Sequence, residues 1–181
     1  MPKVVCVIPT NNQRPAELEK VLEHLKQFNF ARMLVVADTG KMLYNRYIQE
    51  IAEDEIIYTQ DDDCIVYNIQ ELIDLYDENK IIANCKPAYQ RVYDEISDGK
   101  ICLVGYGAVF NKKLADFGKY LAKYPEDKLF YREADRIFTF FNKKELIIGD
   151  IEDFPSAEHG MSQTEEHFRT RDEIIKRLKL C

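Results

Sequence analysis

Three consecutive aspartates, Asp61, Asp62 and Asp63, follow a β-branched and aromatic run at residues 55–59 that predicts a buried strand. Carboxylates crowded at the end of a strand repel one another unless a positive charge lies beside them. Because side chains two positions apart on an extended chain point the same way, we expect Asp61 and Asp63 to converge, with Asp62 facing elsewhere. Two such oxygen ligands suit Mg²⁺ or Mn²⁺. A solvated acidic turn is the alternative interpretation.

The composition of the 181 residues limits the class of protein. A chain of this length can bury one substantial core, and its net charge of −7 argues against binding to nucleic acid, which requires a positive surface. No apolar run is long enough to cross a membrane, and the N-terminus enters a strand-like run directly, so we expect a cytoplasmic protein. The five cysteines lack a CxxC spacing and are interpreted as reduced, structural residues: Cys6, Cys64, Cys85, Cys102 and Cys181.

The first third of the chain alternates between strand-like and helix-like periodicity. Strands are predicted at residues 4–8, 33–37 and 55–59, with a helix beginning at Pro15 and a second at residues 43–52. This order predicts a doubly wound α/β sheet, in which ligands bind beyond the carboxyl ends of the strands. A polar cluster follows each of the three strands, at residues 10–14, 38–40 and 61–63. The sequence therefore predicts a nucleotide site at that edge of the sheet.

The remainder of the chain continues the α/β pattern without an internal repeat or a linker. The patterns predict a helix at 68–78, followed by strands at 81–85 and 101–106 that are joined by a longer connection through Pro87 and Asp98-Gly99. They also predict a helix over the first half of 131–141, a strand at 145–148, and a last helix opened by a capping box at 162–165.

The order of these features resembles the nucleotide-sugar glycosyltransferases of the GT-A fold. The motifs are similar to that superfamily's opening strand and loop (7–11 and 14–15), its second strand (34–38) and its DxD metal motif (61–63). Residues 43–47, 57–63 and 103–110 are most similar to the C-terminal transferase domain of the exostosins. The resemblance implies a GT-A-like (Rossmann-like) fold, with a mostly parallel central sheet flanked by helices. It implies a single domain over residues 1–181, with a nucleotide-binding half at about 1–66 and an acceptor and catalytic half at about 67–181.

The resemblance implies a nucleoside-diphosphate sugar as donor, bound with Mn²⁺ or Mg²⁺. Asp63 is expected to ligate the metal directly, Asp61 to contact it through water or to bind the ribose, and His159 to be a third ligand. Asp38 could accept hydrogen bonds from the base. The full set of expected nucleotide- and donor-binding residues is Pro9, Thr10, Asn11, Arg14, Asp38, Asn45, Arg46, Asp61 and Asp62.

On the acceptor side, Asp135 is the candidate catalytic carboxylate. It would be the general base in an inverting enzyme, and would position donor and acceptor in a retaining one. The exostosin pattern opens this helix with Glu-Asp, whereas Ala134-Asp135 stands here, and a surface charge in an amphipathic helix is the alternative interpretation. Residues around the sugar are expected to be Gly105, Tyr106, Gly107 and Ala108.

The sequence thus predicts a metal-dependent glycosyltransferase of the hexosyl- or N-acetylhexosaminyl-transferase type. A UDP-sugar is favoured as donor over a GDP-sugar, and the acceptor is a hydroxyl group, with a glycan favoured. The alternatives are a non-catalytic nucleotide- or metal-binding module and, less favoured, a sugar nucleotidyltransferase, for which the Gly-rich opening loop is missing. The short chain leaves open a partner chain or a larger parent protein.

Overall fold

A six-stranded sheet in the order β2-β1-β3-β6-β5-β7 forms the centre of the molecule, and β4 and β8 form a separate two-stranded ribbon. The computed structural model describes residues 3–37, 41–155 and 165–181. The strands are β1 (Val4–Thr10), β2 (Arg32–Ala37), β3 (Ile56–Thr59), β4 (Cys64–Val66), β5 (Ile81–Cys85), β6 (Ala108–Asn111), β7 (Lys144–Ile148) and β8 (Ile151–Asp153). Strand β6 runs antiparallel to β3 and β5, and the other pairs of the sheet are parallel. The prediction of a mostly parallel sheet is therefore confirmed.

Helices cover both faces of the sheet. They are α1 (Pro15–Leu25), α2 (Met42–Asn45), α3 (Ile69–Asp74), α4 (Pro87–Ser97), α5 (Gly118–Leu121), α6 (Lys128–Arg132), α7 (Ala134–Phe141) and α8 (Glu165–Lys179), with a short 3-10 helix at Lys112–Leu114. No helix in these ranges has both the length and the apolar character that a membrane crossing requires.

Strand β1 lies between β2 and β3 in the sheet and is buried on both sides. Its seven residues are all buried, and alternate side chains enter two different apolar clusters. Val5 and Val7 pack in the cluster that contains α7 and α8 residues, whereas Cys6 and Ile8 pack in the cluster that contains residues of α1 and α3. The continuous apolar run of β1 is thus what a covered, mostly parallel sheet requires.

The prediction of a strand at residues 101–106 is wrong. This segment is irregular, although Ile101, Cys102 and Val104 are buried, and the strand β6 begins only at Ala108. Gly107 has φ +96, a left-handed conformation that interrupts an extended chain. The apolar run is therefore a buried loop, and its Gly105 carbonyl accepts a hydrogen bond from the amide of Asp61, just beyond the end of β3.

One helix was not predicted, and another is shorter than predicted. The connection after Pro87, for which no element was predicted, contains the helix α4, with proline in its first turn. The helix predicted at residues 43–52 ends at Asn45, because the next two side chains, Arg46 and Tyr47, are both turned into the protein interior. The last helix is confirmed from Glu165 onward, while the first three residues of its predicted capping box lie outside the described residues.

Candidate active site

The aspartate cluster lies in a tight turn between β3 and β4, not on an extended chain. Gln60 holds this turn from inside the protein: its side chain accepts a 2.6 Å hydrogen bond from the Tyr58 hydroxyl and donates a 2.9 Å bond to the Cys64 carbonyl. The alternation expected for an extended chain therefore does not apply. The three carboxylates contact two guanidinium groups: Asp62 and Asp63 contact Arg14, and Asp61 contacts Arg46.

Asp62, which we expected to face elsewhere, is the most enclosed of the three aspartates. Its carboxylate accepts a 2.6 Å hydrogen bond from the Thr10 hydroxyl and a 3.2 Å bond from Arg14. Burial raises the pKa of Asp62, and the Thr10 and Arg14 contacts oppose this rise. Arg14 also forms a 2.8 Å ion pair with Asp63, so that one buried guanidinium serves two neighbouring carboxylates.

Asp63 has an environment that disfavours its charge. Burial, together with the nearby charge of Asp61, raises the pKa of Asp63 to about 6, although Arg14 opposes the rise. Its side chain nevertheless remains 40 % exposed. A carboxylate that is partly exposed and poorly neutralised by the protein is suited to accept an additional positive charge.

Asp61 lies against both the backbone of Gly105 and the side chain of Arg46. Its amide donates a 2.8 Å hydrogen bond to the Gly105 carbonyl, and its carboxylate accepts a hydrogen bond from Nη2 of Arg46. Arg46 is completely buried, and its Nη1 lies 3.4 Å from Oδ2 of Asp135. The guanidinium thus stands between two carboxylates that are far apart in the sequence.

Asp135 lies in the first turn of α7, with 19 % of its side chain exposed. Its Oδ1 accepts a 2.7 Å hydrogen bond from the hydroxyl of Tyr47. Burial raises the pKa of Asp135, the charge of Asp61 adds to the rise, and Arg46, Tyr47 and Arg136 oppose it. The result is a carboxylate with a higher proton affinity than a solvated aspartate, in contact with the same Arg46 that pairs with Asp61.

The expected acceptor-side residues differ in what they contact. Gly105 touches Asp61, whereas Ala108 is fully buried in β6. The Tyr106 ring lies beneath Nζ of Lys86, 4.6 Å from the ring centroid, and 6.1 Å from the ring of Tyr89. No sequence pattern indicated Lys86 or Tyr89, because they lie at the start of α4, a helix that was not predicted.

Three of the expected donor-binding residues make local contacts. Pro9 is buried within β1 beside Val36, and Asn11 accepts a 3.0 Å hydrogen bond from the Gln13 amide in its own loop. Asn45 ends α2, and its carbonyl accepts a 2.7 Å bond from Gln49. Asp38 and His159 lie outside the described residues.

Tyr47 belongs to the site although it was not among the residues predicted from the sequence. Its hydroxyl reaches a residue 88 positions away, and no local pattern marks such a contact. The one sequence signal for Tyr47 is its position directly after Arg46, because Arg46 and Tyr47 both contact Asp135.

Comparisons with known proteins support the fold. No protein family and no curated protein sequence matches this chain. Among solved structures, the catalytic domain of Drosophila β1,4-galactosyltransferase 7, determined in complex with xylobiose, is similar over 97 % of this chain and 80 % of that chain, with a TM-score of 0.54 and 15 % identity. A glycosyltransferase involved in glycosylation of the major capsid of PBCV-1 is similar over 81 % of this chain and 82 % of that chain, with a TM-score of 0.46 and 13 % identity.

The first of these similarities, together with the sheet described above, identifies the architecture. The chain has a GT-A-like α/β fold, as the sequence predicted. At 15 % identity the similarity concerns the fold, and function has to be argued from the site.

Proposed function

We propose that the protein is a metal-dependent glycosyltransferase that moves a sugar from a nucleoside-diphosphate sugar to a hydroxyl acceptor. A UDP-sugar is the favoured donor, a GDP-sugar is the second choice, and a glycan is the favoured acceptor. The proposal is supported by a fold shared with a galactosyltransferase catalytic domain and by a cluster of carboxylates at the carboxyl edge of the sheet. The exostosin-like motifs point to the same reaction class.

The main support for the proposal is an excess of negative charge in the site. Four carboxylates, those of Asp61, Asp62, Asp63 and Asp135, surround two guanidinium groups, those of Arg14 and Arg46. When all are ionised, four negative and two positive charges leave an excess of two negative charges. A divalent cation would neutralise this excess, and a cation bound there would attract a diphosphate.

The donor set fits such a cation when it is held together with substrate. Asp61 and Asp63 each keep 40 % of the side chain exposed and present hard oxygen ligands, whereas Asp62 is enclosed by Thr10 and Arg14. Among the described residues, no three His, Cys, Asp or Glu side chains form a complete metal site. Mg²⁺ and Mn²⁺ in diphosphate sites commonly take one or two carboxylates and fill other positions with phosphate oxygens and water. When bound, the ion would supply charge neutralisation for the departing diphosphate.

We assign to Asp135 the deprotonation or the positioning of the acceptor hydroxyl. It is partly exposed, and its pKa is raised by burial, which brings its proton affinity closer to what a general base at neutral pH requires. It shares Arg46 with Asp61, so the acceptor and donor sides of the site are adjacent. This arrangement can deprotonate an acceptor hydroxyl or position it beside the donor.

Calorimetric titration of UDP and of GDP, with and without Mn²⁺, tests the donor site. We expect one nucleotide to bind only with metal, and Asp63→Ala to weaken that binding by at least about 100-fold, since even indirect partners of a metal cost 10- to 100-fold when they are lost. Asp54→Ala is the matched control, because Asp54 is exposed and precedes β3 at the opposite end of the strand. Absence of binding by both nucleotides in the presence of Mn²⁺ would refute the proposal.

A second measurement separates an enzyme from a binding module. A transferase should release nucleotide slowly from a panel of UDP-hexoses and UDP-N-acetylhexosamines without acceptor. Asp135→Asn should lower turnover by roughly 10²- to 10⁴-fold, as expected for the loss of a general base, while leaving metal-dependent nucleotide binding intact. Wild-type binding without any turnover of the panel would favour the non-catalytic module.

A further inference from the structure

We propose that Tyr47 and Arg46 are positioning residues that hold Asp135 and join it to Asp61, so that the donor and acceptor sides of the site are mechanically coupled. This inference rests on the proposed function, and it replaces the expectation from sequence that Arg46 contacts the donor itself. It is carried by three contacts and by the complete burial of both residues.

Tyr47 sets the orientation of one Asp135 oxygen. Its hydroxyl donates a 2.7 Å hydrogen bond to Oδ1, and its ring is fully buried. The ring packs 4.6 Å from Phe138 and 5.5 Å from Phe117, measured between centroids. A hydroxyl on a ring that is packed in this way has little freedom to turn away, so the hydrogen bond restricts the rotation of the carboxylate.

Arg46 holds the other side of Asp135 and extends the contact to Asp61. Its Nη2 donates to Asp61, while its Nη1 lies 3.4 Å from Oδ2 of Asp135 without a hydrogen bond. Among the described residues, Nε of Arg46 also has no hydrogen-bond partner. A buried guanidinium with spare donors can strengthen its contact to one carboxylate when the other is engaged by a ligand.

Neither residue has the exposure that a donor ligand needs. The side chain of Arg46 has no exposed surface, and Tyr47 likewise has none. Within the described ranges, their exposed carboxylate partners are Asp61 and Asp135, whose side chains are 40 % and 19 % exposed and through which a sugar nucleotide would act on them. The groups that act electrostatically on Asp135 are Arg46, Asp61, Tyr47 and Arg136.

The coupling has a functional consequence. A ligand that draws Asp61 away from Arg46 leaves the guanidinium free to close on Asp135. Donor binding would thus prepare the acceptor carboxylate before the acceptor arrives.

The first test needs no activity. A double-mutant cycle in urea unfolding compares Tyr47→Phe, Asp135→Ala and the double variant. For this cycle Asp135→Ala is more decisive than Asp135→Asn, because Asn keeps an acceptor oxygen whereas Ala has none. We expect clear non-additivity with Asp135→Ala, because Tyr47→Phe then has no hydrogen bond left to remove. Additive effects would overturn the inference, whatever the protein does.

The second test uses turnover. Tyr47→Phe should lower the rate of nucleotide release from the UDP-sugar panel by about 10- to 100-fold, the loss expected when a reacting group is misplaced by about 1 Å, while UDP affinity with Mn²⁺ stays within about twofold of the wild type. Arg46→Lys keeps the charge but cannot span two carboxylates, so it should also lower the rate of nucleotide release from the UDP-sugar panel. The matched control is Tyr120→Phe, a fully buried tyrosine in a separate contact with Arg177.

The outcomes distinguish the inference from the function on which it rests. The positioning role is wrong, and the proposed transferase function is unaffected, if the wild type releases nucleotide from the donor and Tyr47→Phe releases it at the same rate. The same conclusion follows if Tyr47→Phe loses UDP affinity and turnover in equal proportion. If the wild-type protein neither binds UDP or GDP with Mn²⁺ nor turns over donor, the proposed function fails, and the positioning role fails with it even when the unfolding cycle is non-additive.

Discussion

Asp61 and Gly105 are in direct contact: the Asp61 amide donates a 2.8 Å hydrogen bond to the Gly105 carbonyl, and a Cβ at position 105 would come within 2.6 Å of Asp61 Cγ. The backbone of the irregular segment that precedes β6 therefore forms one wall around Asp61. Only glycine leaves room for the carboxylate in the orientation that Arg46 holds. This relationship explains why a buried apolar run is interrupted by a Gly-Tyr-Gly sequence at the edge of the site.

We predict that Gly105→Ala displaces the Asp61 carboxylate. The added methyl should lower the free energy of unfolding by about 1–3 kcal/mol, which is the usual cost of overpacking, and should weaken metal-dependent nucleotide binding. Urea unfolding and calorimetry measure the two effects. Gly118→Ala is the control, because a Cβ there meets chiefly the flexible Asp116 carboxylate, at 3.0 Å. Unchanged stability and unchanged binding in Gly105→Ala would contradict the close contact between Gly105 and Asp61.

Arg14→Met tests whether Arg14 is the counter-ion of two aspartates. The variant leaves Asp62 enclosed without its guanidinium partner, and we expect the free energy of unfolding to fall by about 3–5 kcal/mol, as when one partner of a buried ion pair is removed. Arg32→Met is the comparison, since Arg32 pairs with Glu55 at the surface and should cost less than about 1 kcal/mol. Equal losses in the two variants, measured by urea unfolding, would show that Arg14 is not a buried counter-ion.

Asp63 gives the folded protein an unusual pH dependence. Because its pKa is raised from 3.8 to about 6, the folded state takes up a proton at a higher pH than the unfolded chain, and the contribution of Asp63 to stability increases as the pH falls through 6. Asp63→Asn should therefore stabilise the protein at pH 7.5, on the order of 1 kcal/mol after solvent screening, and should remove this part of the pH dependence.

Urea unfolding at pH 7.5 and pH 5.5, without metal, measures this effect. The sign should reverse when Mn²⁺ and the matching nucleotide are added at pH 7.5, because a ligand that binds only the folded wild type stabilises it. A variant less stable than wild type at pH 7.5 without metal would contradict the unfavourable environment assigned to Asp63.

Asn84 connects strand β5 to the segment that contains Tyr106. Its buried amide donates a 2.9 Å hydrogen bond to the Tyr106 carbonyl and exchanges two hydrogen bonds with the side chain of Asn68. Asn84→Ala should lower the free energy of unfolding by about 2–3 kcal/mol, because buried polar partners are left unpaired. Asn79→Ala, in an exposed turn, is the control and should change stability by less than about 0.5 kcal/mol. A loss in Asn84→Ala no larger than in the control would exclude this anchoring role.

Local patterns in the chain were sufficient for much of the architecture. The apolar run of β1, the helix after Pro15 and the strand β5 were predicted within a few residues of their observed bounds, because each depends on the periodicity of neighbouring residues. The same patterns placed the three aspartates at the end of a strand, beside a polar loop that contains Arg14.

The errors have a common physical cause. Ile101, Cys102 and Val104 are apolar because they fill the core, and burial alone does not distinguish a strand from a buried loop. The helix predicted from residue 43 ends early because Arg46 and Tyr47 gain contacts with Asp61 and Asp135 that outweigh helical propensity.

What the sequence alone determined is therefore the order of the elements and the edge of the sheet where the charged residues gather. The tertiary structure decided which charges meet: that Arg14 joins Asp62 to Asp63, and that Arg46 stands between Asp61 and Asp135. The reason is that periodicity is set by residues within one or two turns of each other. The pairing of buried charges depends on packing between elements that are far apart in the chain, such as Tyr47 and the helix that carries Asp135.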